Sequence, residues 1–219
     1  MQHNTIRKFS LLASATACAA MLSGCIAPIL MGGAVMTTAT VATDRRTAGS
    51  IVSDEVVEKR LSYEIEQALK DQKQHITVTA YDGRVLLSGE AGSADLRARA
   101  EQIARNSTDV REVIDEIAVM EPVSVSQRLS DSLLATRVRT AIIGEKDATL
   151  NQMKVVVERG VVYLMGFVTD SEARAAAAKA AAVSGVKQVV MCFSIATAEE
   201  IEQRMRTDKP ANAGAQSGD

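Results

Sequence analysis

One stretch of this chain is written twice. DGRVLLSGEAGSADLRARAEQIA, from Asp82, recurs from Arg159 as RGVVYLMGFVTDSEARAAAAKAA, with Gly83 aligned on Gly160 and Gly89 on Gly166. Farther on, DVREVIDEIAV matches GVKQVVMCFSI, which sets Val110 on Val186 and Val113 on Val189. A duplicated unit limits the fold more than composition does, because two copies must satisfy one pattern of elements.

That pattern is readable in the first copy. Val57, Leu61, Ile65, Ala68 and Leu69 fall at helical spacing, with Ser53 or Asp54 placed to cap the N-terminus. ITVTAYDGRVLLSG reads as two strands about Asp82-Gly83, a dipeptide that tolerates positive φ and closes a tight hairpin. Ser93 to Ala104 reads as a second helix and Val110 to Val119 as a third strand. The expected fold class is α+β: two tandem αββαβ sandwiches, each a three-stranded sheet with two helices on one face.

The glycine-bounded strands RVLLSG and VVYLMG and the GVKQV segment resemble the BON domain. Two such copies after DRRTAGS resemble the dual-BON-domain outer-membrane lipoproteins of Gram-negative bacteria, over nearly all of the mature chain. The resemblance implies a role in envelope maintenance, binding of anionic phospholipid by the second domain, and no catalysis.

The N-terminus fits an anchored protein. Arg7 and Lys8 precede an apolar run, Phe9 to Met21, which is too short to span a bilayer and ends in Leu22-Ser23-Gly24-Cys25. This end resembles the lipobox of lipoprotein precursors, which implies cleavage before Cys25 and acylation of its sulfur and amino group. An ordinary secretory peptide cut elsewhere would instead leave Cys25 a free thiol. Ile26, where inner-membrane retention favours Asp, implies sorting to the outer membrane, facing the periplasm. Cys18 leaves with the signal, so Cys192 has no intramolecular partner and reads as a strand residue in a core.

The expected spans are a signal peptide over 1–24, a lipid-anchored tether over 25–53, a first BON-like domain over 54–121, a linker over 122–128, a second domain over 129–200 and a disordered tail over 201–219. The tether holds Asp44-Arg45-Arg46, which reads either as membrane-proximal or as plain flexible linker. Pro122 stops strand or helix in the linker. The tail, ending KPANAGAQSGD, has little to bury.

Residues for chemistry are scarce. His75 is the one histidine of the mature chain and reads as a solvated loop residue; with Cys192 alone it makes no zinc site. Asp115 and Glu116 are adjacent on a strand and point to opposite faces. Gly32-Gly33 lacks the Gly-Lys-Ser/Thr of a phosphate loop. A net charge of −2 argues against a nucleic-acid partner. Neither a catalytic site, a cofactor nor a small-molecule substrate is expected.

Charge separates the copies. Residues 54–121 hold 9 Lys+Arg against 15 Asp+Glu, and residues 122–200 hold 9 against 8. An anionic membrane would repel the first and admit the second. In SDSLLATRVRTAIIGEK the core stripe is Leu134, Val138, Ala141 and Ile142. Leu133 and Ile143 lie opposite, with Thr136 and Thr140 between them and Arg137 and Arg139 alongside. Apolar groups edged by arginine suit a lipid interface, so Leu133, Arg137, Arg139, Thr140 and Ile143 are the candidate lipid-binding residues. In the resembled family the position of Leu133 commonly carries an aromatic residue, which implies weaker insertion here. Two alternatives stand: Leu133 and Ile143 are covered by the linker or first domain, or the helix docks on an envelope assembly protein and the chain is a scaffold. The acidic first domain is the expected place for a protein partner.

Overall fold

The computed structural model describes residues 44–143 and 153–207; Cys25, the signal segment and the chain end from 208 lie outside the described residues. The first domain runs α1 (Ala48–Ala68), β1 (Gln74–Tyr81), β2 (Arg84–Ala91), α2 (Ala94–Arg105), β3 (Glu112–Asp115) and β4 (Ala118–Val119). The second runs α3 (Val125–Ile143), β5 (Lys154–Glu158), β6 (Val161–Val168), α4 (Asp170–Ala181) and β7 (Gln188–Ile195), and α5 (Ala198–Thr207) follows it. Each hairpin is antiparallel and each last strand returns parallel to the second, through α2 or α4. The first sheet counts four strands because the expected third strand is interrupted. Asp115 Oδ1 accepts the Ile117 N–H, turning the chain between β3 and β4.

Both hairpins close on a two-residue turn with left-handed backbone, Asp82-Gly83 at φ 53° and 74° and Arg159-Gly160 at φ 55° and 80°. This is the geometry a twisted two-residue hairpin demands. A carboxylate from the preceding helix secures each turn. Asp54 accepts the Asp82 and Gly83 amides at 2.6 and 2.9 Å; Asp131, at the same repeat position, accepts those of Arg159 and Gly160, both at 2.9 Å. Asp54 is therefore no helix cap. The helix begins earlier, inside the expected tether, where Thr47 accepts the Ser50 N–H.

Other boundaries also shift. α3 starts at Val125, within the expected linker, because Ser124 Oγ accepts the Gln127 N–H and begins the helix there. α5 occupies the start of the expected tail. Thr197 and Glu200 cap it reciprocally and Ile201 is buried, so this segment has both a local and a packing cause for order. His75 is a half-buried residue of β1 rather than a loop residue, its pKa lowered by burial and then by the Arg128 charge.

Each domain has a core between its helices and one sheet face. In the first, Val57, Leu61 and Ile65 of α1 meet Val78, Ala80, Val85 and Leu87. In the second, Leu134, Val138 and Ile142 of α3 meet Val155, Val162 and Leu164. The opposite sheet faces pack on each other. Tyr81 and Leu86 join Tyr163, Met165 and Cys192 in a third buried cluster. The order of layers is helices, sheet, sheet, helices. Cys192 is a buried free thiol, as a core strand residue should be, and burial pushes its pKa up to about 11.

Candidate functional site: the outer face of α3

α3 buries one side against its sheet and leaves the other to solvent over about 28 Å, at about 1.5 Å per residue. Leu133 and Ile143 are exposed, as are Arg137, Arg139 and Thr140. Of the expected core stripe, Leu134, Val138 and Ile142 are buried, whereas Ala141 is only half-buried and Ala135 takes its place. The apolar strip extends toward the N-terminus through Leu129, 62% exposed, and Val125, 72% exposed. At 100° per residue, Val125, Leu129, Leu133 and Ile143 fall within about 80°. The i, i+4 spacing of Val125, Leu129 and Leu133 is present in the sequence, but a domain start at 129 leaves out Val125.

The hydroxyls on the exposed side of this helix are bonded back to its own carbonyls. Ser132, Thr136 and Thr140 donate to the carbonyls of Arg128, Ser132 and Thr136 at 2.9, 3.2 and 3.0 Å, and Ser130 does the same to Ser126 at 3.0 Å. Their donors are satisfied within the helix. The strip between the leucines is consequently less polar than its composition suggests. Its rim carries arginine alone: Arg137 on one side, Arg128 and Arg139 on the other. The one acid of α3, Asp131, is buried under the hairpin turn. Arg139 has a structural bond too, donating from Nη2 to the Val155 carbonyl of β5 at 2.7 Å.

Contacts across the sheet interface tie α3's domain to the first. Arg159 pairs with Glu90, which has no exposed surface, and also donates to the Gly89 carbonyl at 3.1 Å. Thr77 Oγ1 donates to Glu158 Oε1 at 3.0 Å, and burial raises the Glu158 pKa. Arg84 reaches the Cys192 carbonyl at 2.9 Å.

The two flanking segments cross over reciprocally. Arg45, preceding the first domain, makes a bidentate pair with Glu172 of α4 at 2.8 and 2.7 Å and donates to the Phe167 carbonyl at 3.1 Å. That pairing holds Glu172 down to about 2. Arg46 bonds Asp54 at 3.0 Å and lies over the Tyr81 ring. Arg204 of α5, following the second domain, pairs with Asp82 of the first and stacks on Phe167. The Asp44-Arg45-Arg46 segment is thus no loose linker but a strap on the folded pair.

Among the described residues no cluster of three or more His, Cys, Asp or Glu could hold a metal ion, and no helix is long and apolar enough to cross a membrane.

Duplicated αββαβ units packed by their sheets, with helices outermost, define a tandem BON-domain protein, and the BON domain family model matches residues 53–121 and 130–197. Over 194 residues the chain is 35% identical to outer membrane lipoprotein DolP of Haemophilus influenzae, covering 88% of this chain and 98% of that one. It is also 34% identical over 148 residues to the 21 kDa hemolysin of Actinobacillus pleuropneumoniae, covering 67% of this chain and 76% of that one. CdsD, a structural protein of the type III secretion system of Chlamydia trachomatis, overlaps 67% of this chain and 98% of its own at 16% identity and a TM-score of 0.25, too slight to bear on the fold. The chain belongs to the dual-BON-domain outer-membrane lipoproteins: it is lipid-anchored at the outer membrane and faces the periplasm.

Proposed function

We propose that the second BON domain recognises anionic phospholipid through the outer face of α3, and that the protein supports envelope integrity by binding rather than by catalysis. Cys25 carries the acyl anchor. Leu129, Leu133 and Ile143 enter the acyl boundary while Arg137, helped by Arg128 and Arg139, meets the phosphates. The observation that carries this reading is the combination of an exposed apolar strip, hydroxyls bonded back to their own helix, and a rim of arginine with no exposed acid on α3 itself. Bonded back in this way, the hydroxyls cost less to bring to the acyl boundary. Leucine-sized groups give up to about 1.5–3 kcal/mol each when fully buried, and each basic residue near an anionic surface about 1 kcal/mol.

The test is vesicle binding by the non-acylated chain from residue 26, which keeps every described contact. It should bind vesicles containing anionic phospholipid and bind zwitterionic vesicles much less. Leu133→Glu should abolish binding with the fold intact, and Arg137→Ala should weaken it and flatten its salt dependence. Binding by Leu133→Glu equal to the parent would refute the assignment.

A further inference from the structure

The first domain carries the same kind of strip in the opposite charge. On α1, Val52, Val56 and Tyr63 are exposed, Val56 by 56% and Tyr63 by 64%. They lie within about 40° of one another around the helix. Val52 and Val56 stand at the repeat positions of Leu129 and Leu133. The rim differs: Glu55 and Glu66 stand where the second copy has Ser132 and Ile143, and Glu64 lies on the other side. Lys59, within the strip, is 3.7 Å from Glu55, and Arg60 is engaged by Ser107 and Asp109 at 2.6 and 3.0 Å. An anionic membrane cannot be the occupant of this face, because carboxylates at its rim would face the headgroups.

We propose that the outward face of α1 is a docking surface for a cationic amphipathic helix of a periplasmic protein. The occupant would lay apolar residues at i, i+3 and i+4 along Val52, Val56 and Tyr63 and set lysine or arginine against Glu55, Glu64 and Glu66. Placement supports this choice. α1 and α3 form opposite outer layers of the sheet-on-sheet body, so a molecule held to lipid by α3 turns α1 away from the membrane. Such a molecule joins a membrane surface on one side to a protein on the other. The charge of the acidic face carries the inference; only the argument from placement rests on the lipid reading of α3.

Its test uses a labelled synthetic peptide of residues 122–144, cationic and carrying apolar residues at i and i+4 in Val125, Leu129 and Leu133, as the probe and the non-acylated chain as receptor, without lipid, followed by fluorescence anisotropy. Saturable binding that weakens with salt is expected, with a loss of about tenfold or more on Val56→Glu and on Glu55→Lys with Glu66→Lys. Asp95→Lys with Glu101→Lys on α2, an equal change of charge, should leave binding unchanged, and circular dichroism checks that all variants are folded. No binding, or equal loss in the α2 control, would overturn the proposal. Concentration-dependent self-association of the chain, abolished by Leu133→Glu, would assign the face to a second copy and overturn it as well. Failure of vesicle binding would bear only on α3.

Discussion

Removing Arg159 tests the sheet-on-sheet body at its most costly point. Glu90 is wholly buried between the domains; its partners are the Arg159 guanidinium and, at 3.4 Å, the Val123 N–H. Arg159→Met keeps the aliphatic packing and adds no new backbone demand, since a non-glycine residue already holds φ 55° there. It strands a buried carboxylate. Breaking such a pair from one side costs about 3–5 kcal/mol. Glu90→Leu should cost less, about 1–2 kcal/mol, because Arg159 keeps the Gly89 carbonyl and its side chain is 18% exposed to water. The double variant should return to within about 1 kcal/mol of the parent, as hydrophobic replacement of buried pairs commonly does. Urea unfolding of the four proteins supplies the cycle. A cost below about 1 kcal/mol for Arg159→Met, or strict additivity, would refute a buried coupled pair at the interface.

Gly83→Val should destabilise the first domain by about 1–2 kcal/mol, since a β-branched residue is penalised at the left-handed φ of 74°; unchanged thermal stability would mean the turn tolerates a side chain. Glu172, held near 2 by its hydrogen bond to Arg45, contributes stability that is complete above the ordinary carboxyl range and is lost as pH falls from about 4.5 toward 2. Arg45→Ala should therefore lower stability near neutrality by about 1–2 kcal/mol after screening and flatten that acid loss, read by urea midpoints across the range. Cys25→Ser should leave an unprocessed or soluble periplasmic protein, and fractionation with the outer membrane unchanged would exclude acylation at Cys25.

The elements were legible because their causes are local and occur twice. Helical spacing in Val57, Leu61 and Ile65 and the Asp82-Gly83 turn are each set by neighbours in sequence. What escaped reading depends on groups distant in sequence. Asp54 and Asp131 sit at good capping distance from a helix start, yet serve amides some thirty residues on. Arg45 finds its acid in α4 of the other domain. The face-to-face packing of the sheets did leave a trace: VVYLMGFV is apolar at nearly every position, the mark of a strand buried on both faces rather than of one with a wet side. The strip on α3 runs N-terminally from Leu133 through Leu129 to Val125, and a domain start at 129 leaves Val125 outside the pattern. The Thr197–Glu200 capping box was a local signal of α5 that the polar composition around it masked.

The depth of single residues in the bilayer decides whether α3 rather than α1 lies at the lipid surface. An environment-sensitive dye placed through Leu129→Cys or through Val56→Cys, with buried Cys192 left unreactive, reports each face in turn on anionic vesicles. A blue shift and quenching by lipid-borne quenchers are expected at position 129, with neither at 56. Equal quenching at both positions, or none at 129 while the protein is vesicle-bound, would contradict a lipid-facing α3.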